Sequence, residues 1–177
     1  MTLAQARSTL RIVHQLLDGD ISALMLEAYD QAERRTGRMI RTFSGVLTMS
    51  AFPEDGGVIV LPRPPLVGVS SITYFDTANV SQTLAGHQVF AAAMPGYVAL
   101  PVGLTQWPLT KERNDAVTVT FTGGGVEPES LRAAVRLLLD VSFNDLTPAK
   151  QQVVQKRIDD LLFGFTVRDP NLYGITT

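Results

Sequence analysis

Two histidines, two sets of neighbouring aspartates and a run of three glycines are the residues of this 177-residue chain whose types could do chemistry. A histidine works as a general acid or base only when held beside its reacting partner. Neither His14 nor His87 has a local motif around it, so each reads as a surface or loop residue. Asp159-Asp160 and Asp18-Gly19-Asp20 offer carboxylates for a cation. Adjacent carboxylates on a helix diverge, however, and Asp-Gly-Asp lacks the downstream glutamate of a calcium loop. They read as turn, cap and solvated-face residues. Gly123-Gly124-Gly125 precedes a helix, as a phosphate loop does, but it lacks the lysine with serine or threonine of a P-loop. Glu127 and Glu129 would repel an anion at that helix start, so a hinge between sheet and helix is the better reading. With no cysteine, disulfides, thiolate zinc sites and cysteine catalysis are all excluded. No catalytic, cofactor-binding or metal-binding residue is expected, and the chain reads as a protein that is not an enzyme.

Charge gives one local feature. Arg34, Arg35, Arg38 and Arg41 cluster at and beyond the end of a helix in a chain whose formal charge is −2. They could meet DNA phosphates or acidic groups on a partner. They also suit a helix C-terminus, where cations favour the carbonyl end, and ion pairing with Glu27, Asp30 or Glu33 of a neighbouring copy. The second use is favoured. The overall charge predicts no general affinity for nucleic acid or an anionic membrane. No apolar run approaches the roughly 20 residues that span a bilayer, and the N-terminus has no signal-peptide pattern. A soluble, cytosolic product is expected.

The elements that would position these groups follow from the hydrophobic period, which changes twice. Thr2 and Gln5 have capping-box spacing, with Leu3, Ala6 and Leu10 on one helical face. Asp18-Gly19-Asp20 offers a turn and an N-cap. Ile21, Leu24, Met25, Ala28, Tyr29 and Ala32 form the stripe of an amphipathic helix that Gly37 would close. From about Ile40 to Thr122 the period drops to two. Strands are expected at Ile40–Phe52, Val58–Leu61, Val69–Phe75, Gln88–Ala91, Tyr97–Leu100 and Ala116–Thr122. Between the second and third lies Leu61-Pro62-Arg63-Pro64-Pro65-Leu66; proline cannot donate to a central ladder, so this is a stiff crossing between strands. Trp107-Pro108 reads as an anchor for the β region. Leu131, Ala134, Val135, Leu138 and Leu139 restore the helical period after Pro128-Glu129. Thr147-Pro148 opens a last helix with Val154, Ile158, Leu161 and Leu162 inside and Gly164 at its end.

The expected fold is therefore α+β: a four-helix bundle from residues 1–39 and 126–164, a mainly antiparallel β insertion at 40–125 between the second and third helices, and an extended C-terminal arm at 165–177. The arm has no period, yet carries Phe165, Val167, Leu172 and Tyr173. Such a segment frays and exposes apolar groups unless a partner receives it, by strand addition or in pockets. It is expected to be disordered in a free monomer and to order on a partner.

The order of these motifs resembles the head–tail connector proteins of phages, also called adaptor or neck proteins. The resemblance rests on Thr2-Leu3-Ala4-Gln5-Ala6, on Ala32-Glu33-Arg34-Arg35-Thr36-Gly37-Arg38, and on Leu61-Pro62-Arg63-Pro64-Pro65-Leu66 leading into Val69-Ser70-Ser71-Ile72-Thr73-Tyr74. Trp107-Pro108, the strand Ala116–Thr122 with its glycine turn, and Pro128-Glu129-Ser130-Leu131-Arg132-Ala133-Ala134-Val135 complete it. Related chains often end in a short basic and aromatic tail, whereas here only Arg168 is basic between Phe163 and Gly174. The resemblance implies a ring, commonly of about twelve subunits, below the portal protein in the neck of a virion or a gene transfer agent particle. It implies that DNA passes through the lumen without sequence-specific binding, that a tail or stopper protein docks below, and that the protein is made in the host cytoplasm. It implies no cofactor and no membrane partner. Phe165, Val167, Leu172 and Tyr173 would be the docking arm, and the arginines would be lumen or intersubunit charges. A tail-completion or stopper ring is the nearest alternative, disfavoured by the four helices. A small nucleic-acid-binding module is the other, disfavoured by the charge.

Overall fold

In a computed structural model, residues 1–144 and 146–167 are described. The chain falls into two compact units, Met1–Ile40 with Glu127–Thr177, and Arg41–Val126.

The first unit is helical. Helix α1, Leu3–Leu10, opens on a complete capping box: the Gln5 amide donates to Thr2 Oγ1 (3.2 Å) and the Thr2 amide to Gln5 Oε1 (2.9 Å). It ends at Arg11 in the left-handed conformation. Helix α2, Asp18–Thr36, begins on the aspartates expected to precede it; Asp18 and Asp20 lie in its first turn, where carboxylates suit the positive end of the helix. Gly37 closes it at φ 67°, a conformation open to glycine at little cost. Helix α3, Glu129–Phe143, buries Leu131, Ala134, Val135, Leu138 and Leu139. Helix α4, Pro148–Phe163, takes Pro148 in its first turn and buries Ile158 and Leu162. Each such side chain, once fully buried, contributes roughly 1.5–3 kcal/mol.

These helices are not arranged as the expected four-helix bundle. A bundle needs rods of similar length, but α1 has 8 residues against 19 in α2, about 12 Å against about 28 Å. Instead α2 and α3 form a central pair, each of which also packs on α1 and α4. Small residues allow the close approach: Ala6, Ala28, Ala32 and Ala134 are fully buried in one core. No helix among the described residues is long and apolar enough to cross a membrane.

The second unit holds two antiparallel sheets. Strands β1 (Phe43–Met49), β2 (Ile59–Val60), β3 (Leu66–Phe75), β4 (Ser81–Thr83), β5 (Gln88–Phe90), β6 (Tyr97–Ala99) and β7 (Val117–Gly123) sort into a four-stranded sheet, β1-β7-β3-β4, and a three-stranded sheet, β2-β6-β5. The central strand β7 alternates as the sequence predicts, with Val117, Val119 and Phe121 buried and the threonines between them half-buried. The proline crossing joins the sheets. The Leu61 amide donates to Gly96 O beside β6, while Pro65 O accepts from the Gly124 amide just beyond β7, both at 2.9 Å. Leu61, Pro64, Pro65 and Leu66 are buried, and no proline among the described residues occupies a strand. β4 was invisible to the hydrophobic pattern, since Ser81-Gln82-Thr83 is wholly exposed.

Candidate functional site

At the C-terminal end of α2 the structure gathers three of the four arginines and the first residues of the arm. Arg35 Nη1 donates to Asp159 Oδ1 of α4 at 3.1 Å. The Arg38 guanidinium lies over the Phe165 ring, 5.7 Å from its centroid, and burial pushes its pKa down. Arg34 is exposed and makes no ion pair among the described residues. Arg41 belongs to the other unit.

Phe165 packs against the helical core, and the Val167 amide donates to Thr36 O at 2.7 Å. That carbonyl is one of the last of α2, left without an intrahelical donor, so the chain after Gly164 acts as its cap. The arm therefore does not begin as a loose extension at residue 165: ring packing and a backbone hydrogen bond hold residues 165–167 to the unit from which they emerge. Leu172 and Tyr173 lie outside the described residues.

The acidic residues proposed to pair with a neighbour divide. Glu33 is buried, with Oε1 accepting from the Ile40 amide at 2.9 Å, so its carboxylate is engaged within its own chain. Glu27 is exposed and accepts from Gln31 at 3.1 Å. Sequence reasoning missed a polar junction elsewhere in the helical unit: Tyr29 Oη donates to Glu127 Oε1 at 2.8 Å, and Arg132 reaches Glu127 Oε2 at 3.5 Å.

In the β unit, Trp107 stacks on Phe52 (centroids 5.0 Å apart, 5° between planes), and its Nε1–H donates to Gly57 O at 2.7 Å. Being 7% exposed with its one donor used, it anchors the loops around Phe52 and Gly57. Arg113 forms two 2.6 Å bonds to Asp115 and lies 3.8 Å above the Phe75 ring. The bonds to Asp115 hold the Arg113 pKa up and, in turn, those from Arg113 hold that of Asp115 down. His14 is exposed in the loop between α1 and α2, and His87 Nδ1 sits 3.3 Å from Leu84 O. No group of three or more His, Cys, Asp or Glu side chains among the described residues is placed to hold a metal ion. At the triple glycine, a Cβ on Gly124 (φ 74°) would lie 2.0 Å from Arg41 O, so a side chain is excluded by close backbone approach.

Two sheet faces remain uncovered within this unit. Strand register puts Val60, Tyr97 and Phe90 in one row across the three-stranded sheet; Val60 and Phe90 are exposed, and Phe90 stacks on Tyr97 at 4.7 Å. On the four-stranded sheet the rows are Thr48–Thr118–Thr73–Thr83 and Val46–Thr120–Ser71, without a charged residue.

No protein-family model matches the chain, and no curated protein matches it in sequence. Its fold, however, is shared with solved structures. A chain from the neck of an empty gene transfer agent particle computed with C6 symmetry superposes with a TM-score of 0.70 at 22% identity, covering 96% of this chain and 91% of that one. A chain from the virion of a native gene transfer agent particle gives 0.70 at 20% identity, covering 96% and 90%. A third, from the neck of a native particle computed with C12 symmetry, gives 0.66 at 24% identity, covering 94% and 89%.

Proposed function

We propose that this chain is a structural subunit of a virion neck: an adaptor that forms a ring below the portal protein, with DNA passing through its lumen and a tail or stopper protein docking beneath. The observation that carries this reading is the fold shared with chains of gene transfer agent necks over 96% of the present chain. The symmetries of those particles, C6 and C12, favour a ring of about twelve copies closed by heterologous contacts. The role is mechanical, not enzymatic. The proline crossing, tied to both sheets, stiffens a β region inserted between the helical segments, as suits a ring that must keep its shape around packaged DNA.

The docking element is the arm. Phe165 and Val167 seat its root on the helical unit, leaving Leu172 and Tyr173 to engage the portal or a neighbouring copy. Arg34, with Arg35, Arg38 and Arg41, supplies intersubunit or lumen charge, and DNA is passed without sequence reading. The test is co-sedimentation with portal rings of the full chain and of a chain ending at Val167. Co-sedimentation of the full chain alone is the expected result. Equal binding by the truncated chain would remove the arm from the docking role, and failure of both would overturn the adaptor reading.

A further inference from the structure

The two edges of the four-stranded sheet are built differently. β4 closes one with three residues, Ser81–Thr83, whereas β1 forms the other with seven, Phe43–Met49, paired only to β7. Half of the backbone N–H and C=O groups of an edge strand point away from its ladder partner, so β1 carries an open row about 23 Å long. Proteins usually blunt such an edge with charge, proline or a bulge. Phe43-Ser44-Gly45-Val46-Leu47-Thr48-Met49 contains no charged residue and no proline. Its register against β7 runs without a shift, while the irregularities fall on the opposite side of β7, in β3. The adjoining threonine-rich face is equally free of charge, so nothing on it repels an incoming strand.

The sequence beyond Val167 includes a segment of strand-favouring composition. After Pro170 come Asn171-Leu172-Tyr173-Gly174-Ile175-Thr176-Thr177, seven residues without proline or a charged side chain. Tyr173, Ile175, Thr176 and Thr177 are of the aromatic and β-branched types that favour strands. Arg168-Asp169-Pro170 would serve as a lead of about 10 Å. We propose that residues 171–177 of one copy add to the open edge of β1 in a second copy, as a fifth strand of its sheet. Donor and acceptor are then different surfaces of one chain, so the contact repeats head to tail and closes a ring where the rotation allows. Main-chain bonds would supply the affinity and side-chain alternation the register. The inference rests on the ring reading only for the presence of adjacent copies.

The chain has no cysteine, so introduced cysteines report alone. Val46→Cys combined with Ile175→Cys in the full chain, with Ser44→Cys or Thr48→Cys in place of Val46→Cys as register variants, is treated with a bis-maleimide spanning roughly the 7–8 Å of diagonal cross-strand neighbours. Far-UV circular dichroism checks that each variant is folded. The expected result is a ladder of covalent dimers, trimers and larger species, at least ~10-fold stronger than from Thr83→Cys with Ile175→Cys on the opposite edge. A linked monomer with no ladder overturns the second copy as acceptor. Equal ladders from both edges, or none, overturn strand addition to β1. Electron micrographs of the same samples with portal rings separate the two ideas: rings without a ladder sink only the strand, and a ladder without rings sinks only the adaptor reading.

Discussion

Replacing Phe165 with alanine tests whether the root of the arm belongs to the helical unit. A fully buried phenylalanine costs about 3–5 kcal/mol when truncated. Phe165 is half-buried against the core, so about half of that, ~2 kcal/mol, is expected. Arg38 contributes through the ring; at 5.7 Å from the centroid the contact is at the outer range, so Arg38→Ala should cost ~0.5–1 kcal/mol. The two changes should not add, because each removes the same contact: a double-mutant cycle should give a coupling of ~0.5–1 kcal/mol. Urea unfolding followed by far-UV circular dichroism at 222 nm measures all four chains, and with a slope of ~2 kcal/mol/M the Phe165→Ala midpoint should fall by ~1 M. Truncation after Gly164 should cost ~3 kcal/mol, since it also frees Thr36 O, an exchange worth ~1 kcal/mol. A loss below ~0.5 kcal/mol for Phe165→Ala, with no coupling to Arg38, would refute the seating of the arm root.

At the triple glycine, Gly124→Ala sets a Cβ 2.0 Å from Arg41 O at φ 74°, and should destabilise by more than ~3 kcal/mol. Gly68→Ala, with nothing within 4 Å, should change stability by under ~0.5 kcal/mol in the same urea assay; similar losses at both would contradict the close approach. At the turn after β3, Asp76 accepts from the amides of Val80 (2.9 Å) and Ala78 (3.0 Å) and from Gln82 Nε2 (2.9 Å). These bonds, that from Val80 foremost, hold its pKa below the ordinary carboxylate value. A folded-state pKa that is depressed stabilises fully above the unfolded value, about 3.9, and the benefit is lost as pH falls through the folded value. Wild type should therefore lose stability more steeply than Asp76→Asn on acidification below about pH 4; parallel pH profiles would count against the turn.

What could be read from the sequence was local. The stripe from Ile21 to Ala32 with Gly37 behind it specified α2, and the Thr2/Gln5 pair specified the start of α1, because caps and helical faces are set by neighbours in sequence. β7 was legible because valine and phenylalanine alternate with threonine against one buried face. What was not legible was tertiary. β4 has no apolar residue to betray it, and the division of seven strands into two sheets depends on pairings between distant residues. The absence of a bundle followed from the shortness of α1, which its apolar residues alone did not signal. The arginine run was visible as a cluster, but its use was not: Arg35 pairs with α4, and Arg38 covers Phe165 where the arm starts. The open edge of β1 was hidden because a strand's sequence does not say whether it lies at the centre or at the border of a sheet.

The adaptor role is tested most directly by averaged electron micrographs of portal rings incubated with the purified full chain. A second ring of density on one face of the portal is expected, with rotational symmetry matching it and about twelve protomers. Portal particles unchanged at saturating protein, with the chain still sedimenting as a monomer, would contradict it.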